Sequence, residues 1–234
     1  MSILDAFNQY FEMIPADSYD LKQEVYKLRY QVYCLERGFL DPEEDGVEFD
    51  DYDHNSSHYL IRHRETNCYM ATTRLVLPDK QNPQKLFPIE ENSYIENKAL
   101  LDTMPRTNLA ELSRFCVSKT FRRRKNEQDL IVTNDTDESR SLDERKSSAH
   151  LTLALFACAV RMSAEHNIDY WYAIMEPTAK RISSALGIRF IEVGPLVDYH
   201  GMRVPCVIKV DDLLTSAAEK NSDYLQMLTN KGLF

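Results

Sequence analysis

No stretch of the 234-residue sequence approaches the roughly 18 apolar residues that a membrane-spanning helix needs, so no membrane span is expected. The first residues, Met1 to Asn8, lack a basic segment followed by an apolar one, and no export signal is expected either. The five cysteines (Cys34, Cys68, Cys116, Cys158 and Cys206) lie far apart and contain no Cys-x-x-Cys pair. An odd, scattered set argues against a disulfide frame or a zinc site and suggests reduced core thiols in a cytoplasmic protein. Positive charge is in deficit: 28 Lys+Arg against 37 Asp+Glu leaves a formal net charge of −9. That balance argues against general nucleic-acid binding. No internal repeat or second core is apparent, and the chain reads as one α+β domain over 1–234.

What is present centres on Asn108–Ser118. Between Leu109 and Val117, apolar residues fall on both alternate faces, as in a strand buried on two sides. The same stretch carries Glu111 and Arg114, and buried charges need partners or a task. Strict alternation puts these two on opposite faces, so bringing them together requires a bulge or outside partners. The cations Arg122-Arg-Arg-Lys125 follow, a local exception on an acidic chain.

In chain order, Ile3, Phe7, Tyr10 and Phe11 have helical spacing, and a helix is expected over 3–14, ending before Pro15. Ser18 or Asp20 caps a second helix over 21–36, stopped by Gly38, so the N-terminal helices occupy 3–36. Val25, Leu28, Val32 and Leu35 form its stripe, and Arg29 by spacing alone reads as a solvated charge one turn from Tyr33. Residues 41–58 are acidic and turn-rich; they lack the EF-hand glycine and terminal glutamate, and read as a surface loop without a metal. The runs 58–63 and 69–77 predict an antiparallel hairpin with Arg74 inside its second strand. The region 78–105 is irregular, with one short helix over 94–101. A charged stretch, 121–148, reads as a mobile insertion. An apolar helix over 149–166 capped by Ser148, a strand over 169–175, a helix over 178–186 between Pro177 and Gly187, and strands over 188–193 and 204–210 complete the pattern. His200 reads as a turn residue, and Tyr170 or Tyr172 as a conceivable proton donor.

The set Arg29-x-x-x-Tyr33, Phe39, Glu48-x-Asp50-x-x-Asp53, Ala71-x-x-Arg74 and Glu111-x-x-Arg114 resembles, in order and spacing, the signature of acyl-homoserine lactone synthases. Tyr33 and Phe39 stand where that family has Phe and Trp, and Ala71 where it has Gly. Met175–Ile188 and Gly194–Pro205 are more similar to acyltransferases associated with PEP-CTERM/exosortase systems and to N-acyl amino acid synthases. All are GNAT-superfamily N-acyltransferases. The resemblance implies a GNAT-like mixed, mostly antiparallel sheet flanked by helices in three layers. It implies that the strands over 109–117 and 169–175 splay around a phosphopantetheine arm.

The implied reaction moves a fatty acyl group from acyl carrier protein, or acyl-CoA, to the amine of an amino acid or related small molecule. Glu111 and Arg114 are the implied catalytic pair. Arg29, Tyr33, Phe39, Asp50, Asp53 and Arg74 shape the amine site, and Phe115, Cys116, Val117, Arg122 and Arg123 meet the thioester arm. No permanently bound cofactor and no metal is implied; the acyl-phosphopantetheine thioester is a co-substrate, and acyl carrier protein the partner. Arg29, Asp50, Asp53, Arg74, Glu111 and Arg114, three of each sign, are expected to form one linked cluster. The competing products are an acyl-homoserine lactone or, in a catalytically silent relative, none at all.

Overall fold

The protein is described by a computed structural model over residues 1–42, 44–119 and 150–234. The basic turn with Arg122 and Arg123, the expected insertion and the Ser148 cap lie outside the described residues.

Helix α1 runs Ile3–Tyr10, capped by the Ser2 side chain, which accepts from Asp5 N–H. The helix expected over 3–14 stops there, because Phe11–Pro15 forms strand β1 instead. Phe7 and Phe11 are both fully buried and their rings stack at 4.9 Å. Phe11–Pro15 pairs antiparallel with a neighbouring strand, and Pro15, which has no amide to donate, closes the run at the sheet edge. Helix α2, Tyr19–Tyr30, is capped by Ser18 through Leu21 N–H. Its continuation over Gln31–Glu36 widens into a π-helical turn. That turn breaks the expected stripe: Val25, Leu28 and Val32 are buried, whereas Leu35 is 62% exposed. Widening the helix rotates every later residue relative to the α-helical period, so Leu35 leaves the face on which Val32 lies.

Strands β2 (Ser56–His63) and β3 (Tyr69–Val76) form the expected hairpin, and β4 is Leu109–Val117. Between them, α3 (Pro88–Asn92) and α4 (Lys98–Leu101) replace the single helix expected over 94–101. After β4, the described chain resumes in α5 (Leu151–His166), then β5 (Tyr170–Met175) and α6 (Pro177–Ala185). Three short or paired strands follow, β6 (Ile191–Glu192), β7 (Val197–Asp198) and β8 (Met202–Lys209). The strand expected over 188–193 thus shrinks to two residues. Helices α7 (Val210–Lys220) and α8 (Ser222–Leu228), unanticipated from the sequence, end the chain.

The sheet order is β1-β2-β3-β4-β5-β8-β6, with β7 on β8, and every neighbouring pair is antiparallel except β4 with β5. One face carries Tyr59, Ile61, Ala71, Leu75 and Val117 against α1, α5 and α8. The other carries Leu60 and Cys116 against Val25, Leu28 and Val32 of α2. The result is three layers with a mixed, mostly antiparallel sheet in the middle. Four cysteines are buried, as core thiols are, but Cys68 in the β2–β3 turn is exposed. Among the described residues, no helix is long and apolar enough to cross a membrane.

The β4–β5 junction positions everything that follows. These two strands pair only through Leu109–Tyr170, Ala110–Trp171 and Glu111–Tyr172. Beyond Glu111 they part, and their diverging edges leave a wedge in the middle of the sheet.

Candidate active site

Two local irregularities in β4 and α2 build the site. Opposite β3, Thr72 faces Cys116 but Arg74 faces Ser113, so Arg114 and Phe115 together oppose the single residue Thr73. This is a β-bulge, and Arg114 takes φ +50 within it. The extra residue resets the alternation. Arg114 therefore reaches the face that holds Arg74, and the opposition expected from strict alternation between Glu111 and Arg114 disappears.

Arg114 joins a buried ion cluster. Its Nη2 donates to Glu48 Oε1 and to Asp50 Oδ2, both at 2.8 Å. Arg29, fully buried, donates to Asp53 Oδ1 at 2.6 Å and Oδ2 at 3.0 Å, and through Nε to Glu48. Arg74 bridges Asp50 (2.6 Å) and Asp53 (2.9 Å) through Nη1, and its Nε donates to Ser113 Oγ. Three arginines thus meet three carboxylates, and the low-dielectric site is neutral overall. Burial raises the Glu48 pKa, but Arg29 and Arg114 outweigh it and hold the carboxyl at about 2. Asp53 is likewise held below the usual range, burial being overcome chiefly by Arg29 and then Arg74.

The balance differs from the expected one in a single member. Glu48, not Glu111, is the third acid. The acidic segment 41–58 is not merely a surface loop, because its Glu48 and Asp53 are buried and Asp50 caps the short 3₁₀ helix Asp51–Asn55 beside them. Arg29 is likewise no solvated charge. Spacing missed Glu48 as a site residue although it stands in the quoted motif; its signal was a carboxylate two residues before Asp50.

Glu111 stands apart, at the fork where β4 and β5 separate. Its Oε2 accepts from Ile89 N–H at 2.7 Å, and among the described residues no arginine reaches it within hydrogen-bond distance. Burial is the largest influence on it and raises its pKa to about 8, against the lowering effect of the Ile89 amide, Arg74 and Arg114.

The wedge is a crevice of about 140 Å³ lined by residues of both parted strands. Glu111, Arg114, Phe115 and Cys116 line it from β4, and Ala173, Ile174 and Met175 from β5. Tyr33, just after α2, and Phe39 line it too, whereas Arg29, Asp50, Asp53, Arg74 and Val117 do not. The four charged residues of that second group brace the wall from behind, and Val117 stays paired with Ala71 in the sheet. One end is apolar, with Phe115 against Phe156 at 4.8 Å between ring centroids, and Ala179, Ile182 and Phe190 nearby. The other end holds Tyr33, Phe39, Arg37, Tyr199, His200 and Arg203. Thr152 brings the first turn of α5 to the crevice. Tyr172 is not on the wall; it packs edge-on against Phe87. Tyr33 and Tyr199 are the tyrosines on the wall, and burial raises the pKa of the Tyr33 phenol.

Residues 28–132 match the family described as an acetyltransferase (GNAT) domain. The architecture built around them is GNAT-like. The GNAT fold extends over most of the described chain, which is similar to TofI in a ternary complex with an inhibitor and MTA (18% identity, 89% of this chain and 96% of that one, TM-score 0.58). It is also similar to BjaI, a CoA-dependent acyl-homoserine lactone synthase with SAM and isopentyl-CoA (17% identity, 95% and 88%, TM-score 0.56). A third similar structure is FeeM, an N-acyl amino acid synthase from uncultured soil microbes (13% identity, 91% and 97%, TM-score 0.56). No curated protein sequence matches the chain.

Proposed function

We propose that the protein transfers a fatty acyl group from a phosphopantetheine thioester, carried on acyl carrier protein or coenzyme A, to the amine of an amino acid or related small molecule. The observation that carries this reading is the unpaired wedge between β4 and β5 with Glu111 at its fork. A strand edge without a sheet partner offers amides and carbonyls to the amides of an extended arm, as a missing strand would. Phe115 lies on that edge, and the apolar end beside Phe156 and Phe190 suits the acyl chain. The α5 N-terminus, positive by its dipole, suits the phosphate end of the arm. Arg122 and Arg123 belong to the same proposal as anion contacts.

The chemistry follows from Glu111. An ammonium acceptor must lose a proton before its nitrogen attacks the thioester carbon. A carboxylate with a pKa near 8 accepts that proton far more readily than an ordinary glutamate. The C–N bond forms, the nitrogen gives up its second proton, the tetrahedral oxyanion collapses, the C–S bond breaks, and that second proton passes to the thiolate, with the Tyr33 phenol in the wall as the relay. Arg114, held by Glu48 and Asp50, keeps the wall in place and biases the field at the fork. Arg29, Asp50, Asp53 and Arg74 act as its buttress.

The N-acyl amino acid product is favoured over a lactone signal by the similarity of Met175–Ile188 and Gly194–Pro205 to exosortase-associated acyltransferases, with which a functional link is proposed. The test is transfer itself. Purified protein is given acyl thioesters on coenzyme A and on acyl carrier protein, together with amino acids, amines or S-adenosylmethionine. Thiol release accompanied by an N-acyl amino acid in the mass spectrum is the expected result. Release yielding only an acyl lactone moves the assignment to the signal synthases, and no release from either carrier sinks the enzymatic reading.

A further inference from the structure

The cationic end of the crevice contains an arginine pair that the acyl-transfer mechanism leaves without a task. Both guanidiniums lie over the Phe39 ring, Arg37 at 5.3 Å and Arg203 at 5.4 Å from its centroid. Both side chains are largely withdrawn from solvent, 12% and 16% exposed. Their shared carboxylate is Glu176, whose Oε1 lies 3.7 Å from Arg37 Nη1 and accepts a long hydrogen bond from Arg203 Nη2 at 3.4 Å. Arg203 Nη2 is also 3.3 Å from the His200 carbonyl, and its buried Nε has no hydrogen-bond partner among the described residues.

Arg114, on the same crevice, makes the informative contrast. Its Nε and Nη2 donate to Glu48 and Asp50 at 2.8–3.1 Å. Two desolvated guanidiniums sharing one carboxylate leave a positive charge unmatched and the Arg203 Nε donor unmet, which is unfavourable unless a ligand supplies acceptors. Stacking on Phe39 limits the planes the forks can adopt, and a planar two-oxygen anion is what such forks hold best.

We infer that Arg37 and Arg203 form a carboxylate-binding subsite and that the acyl acceptor is an α-amino acid, anchored there by its carboxylate while its amine faces Glu111. This rests on the acyl-transfer reading above and narrows its acceptor. Tyr33 and Tyr199 then flank the acceptor, and His200, which burial and then Arg203 and Arg114 keep neutral, adds no competing charge.

The test compares kcat/KM for the L-amino acids with that for the amines obtained by decarboxylating them, in the parent, Arg203→Met and Arg203→Lys. The parent is expected to prefer the acids by about 10²-fold or more. In Arg203→Met that preference falls at least tenfold through the KM of the acid, with the KM of the acyl thioester unmoved, and Arg203→Lys recovers part of it. Equal use of acids and amines by the parent overturns the inference. So does a rise in thioester KM instead, which assigns the arginines to the donor's phosphate. Acylation of neither class sinks the underlying acyl-transfer reading rather than the subsite. Should Arg203→Met lose its thermal transition, Arg37→Met, on a different segment, carries the same comparison.

Discussion

Replacing Glu111 by glutamine keeps an acceptor for Ile89 N–H but removes the proton-accepting carboxylate. Acyl transfer is expected to fall by about 10²-fold or more, with the far-ultraviolet circular dichroism and thioester binding retained. In the parent, kcat/KM should rise with pH through about 8 as Glu111 ionises, and the variant should lack that limb. Parent-like turnover in the variant removes Glu111 from the base role. The cluster behind it behaves differently. Truncating Asp53 to alanine leaves Arg29 and Arg74 each short of a partner inside the protein, and unfolding should become easier by about 3–5 kcal/mol in urea titration. The residue-level contrast also shows what the sequence conveyed. Spacing on one helix cannot reveal that Arg29 is buried, because its partners Glu48 and Asp53 come from a segment whose composition reads as solvated. Only the joint pattern of acids and arginines, matched to a family, pointed inward, and even that pattern assigned Glu111 to the place that Glu48 occupies.

Among the elements, the two that shape the site most are those that depart from regularity. The bulge in β4 turns Arg114 onto the face of Arg74, and the π-helical turn after α2 sends Leu35 outward while Tyr33 faces the crevice. The need for a bulge or for outside partners was legible, since strict alternation puts Glu111 and Arg114 on opposite faces. The π turn was not, because an apolar stripe at α-helical spacing gives no sign of where a helix widens. Helix α6 is regular and offers the cleaner experiment. Ala179, Ile182 and Ser183 are three and four residues apart, so one face of the helix forms the apolar end of the crevice. Ala179→Phe should fill that end and shift use toward shorter acyl groups. Losing room for two methylenes costs about 1.6 kcal/mol, roughly tenfold in kcat/KM for a long-chain thioester. Rates across a series of straight-chain donors read this directly. An unchanged chain-length profile places the acyl group elsewhere.

At the scale of the molecule, the sheet was legible where strands are apolar and well bounded, as in β4 and the β2–β3 hairpin. It was not legible at β1, whose Phe11 continues a helical spacing, nor at α7 and α8, whose packing against α5 and α1 is decided by long-range contacts. The same long-range packing places four titrating groups in a shared interior, and their shifts oppose one another. Glu48 and Asp53 have lowered pKa values, and His58 is brought down to about 3, by burial first and then Arg29. Each of these binds a proton more readily in the unfolded chain, so each contributes stability that is lost as pH falls, from about 6.5 for His58, about 4.5 for Glu48 and about 3.8 for Asp53. Glu111, raised to about 8, works the other way: the native state keeps a proton the unfolded chain has released, and stability is lost as pH rises from about 4.5 to 8. Between about 4.5 and 6.5 the His58 and Glu111 contributions cancel, one proton each in opposite states. Below that window three groups act together and unfolding should become steeply easier. Above it Glu111 acts alone among these groups, with a decline of about 1.4 kcal/mol per pH unit up to about 8. Urea titrations across this range should therefore give a plateau with unequal flanks. In Glu111→Gln the alkaline flank should flatten and the acid flank persist, and the plateau should tilt upward toward neutral pH as His58 loses its counterweight. An alkaline decline of equal slope in that variant would mean that the carboxyl at the fork is already ionised in the folded protein, and that another group carries the loss.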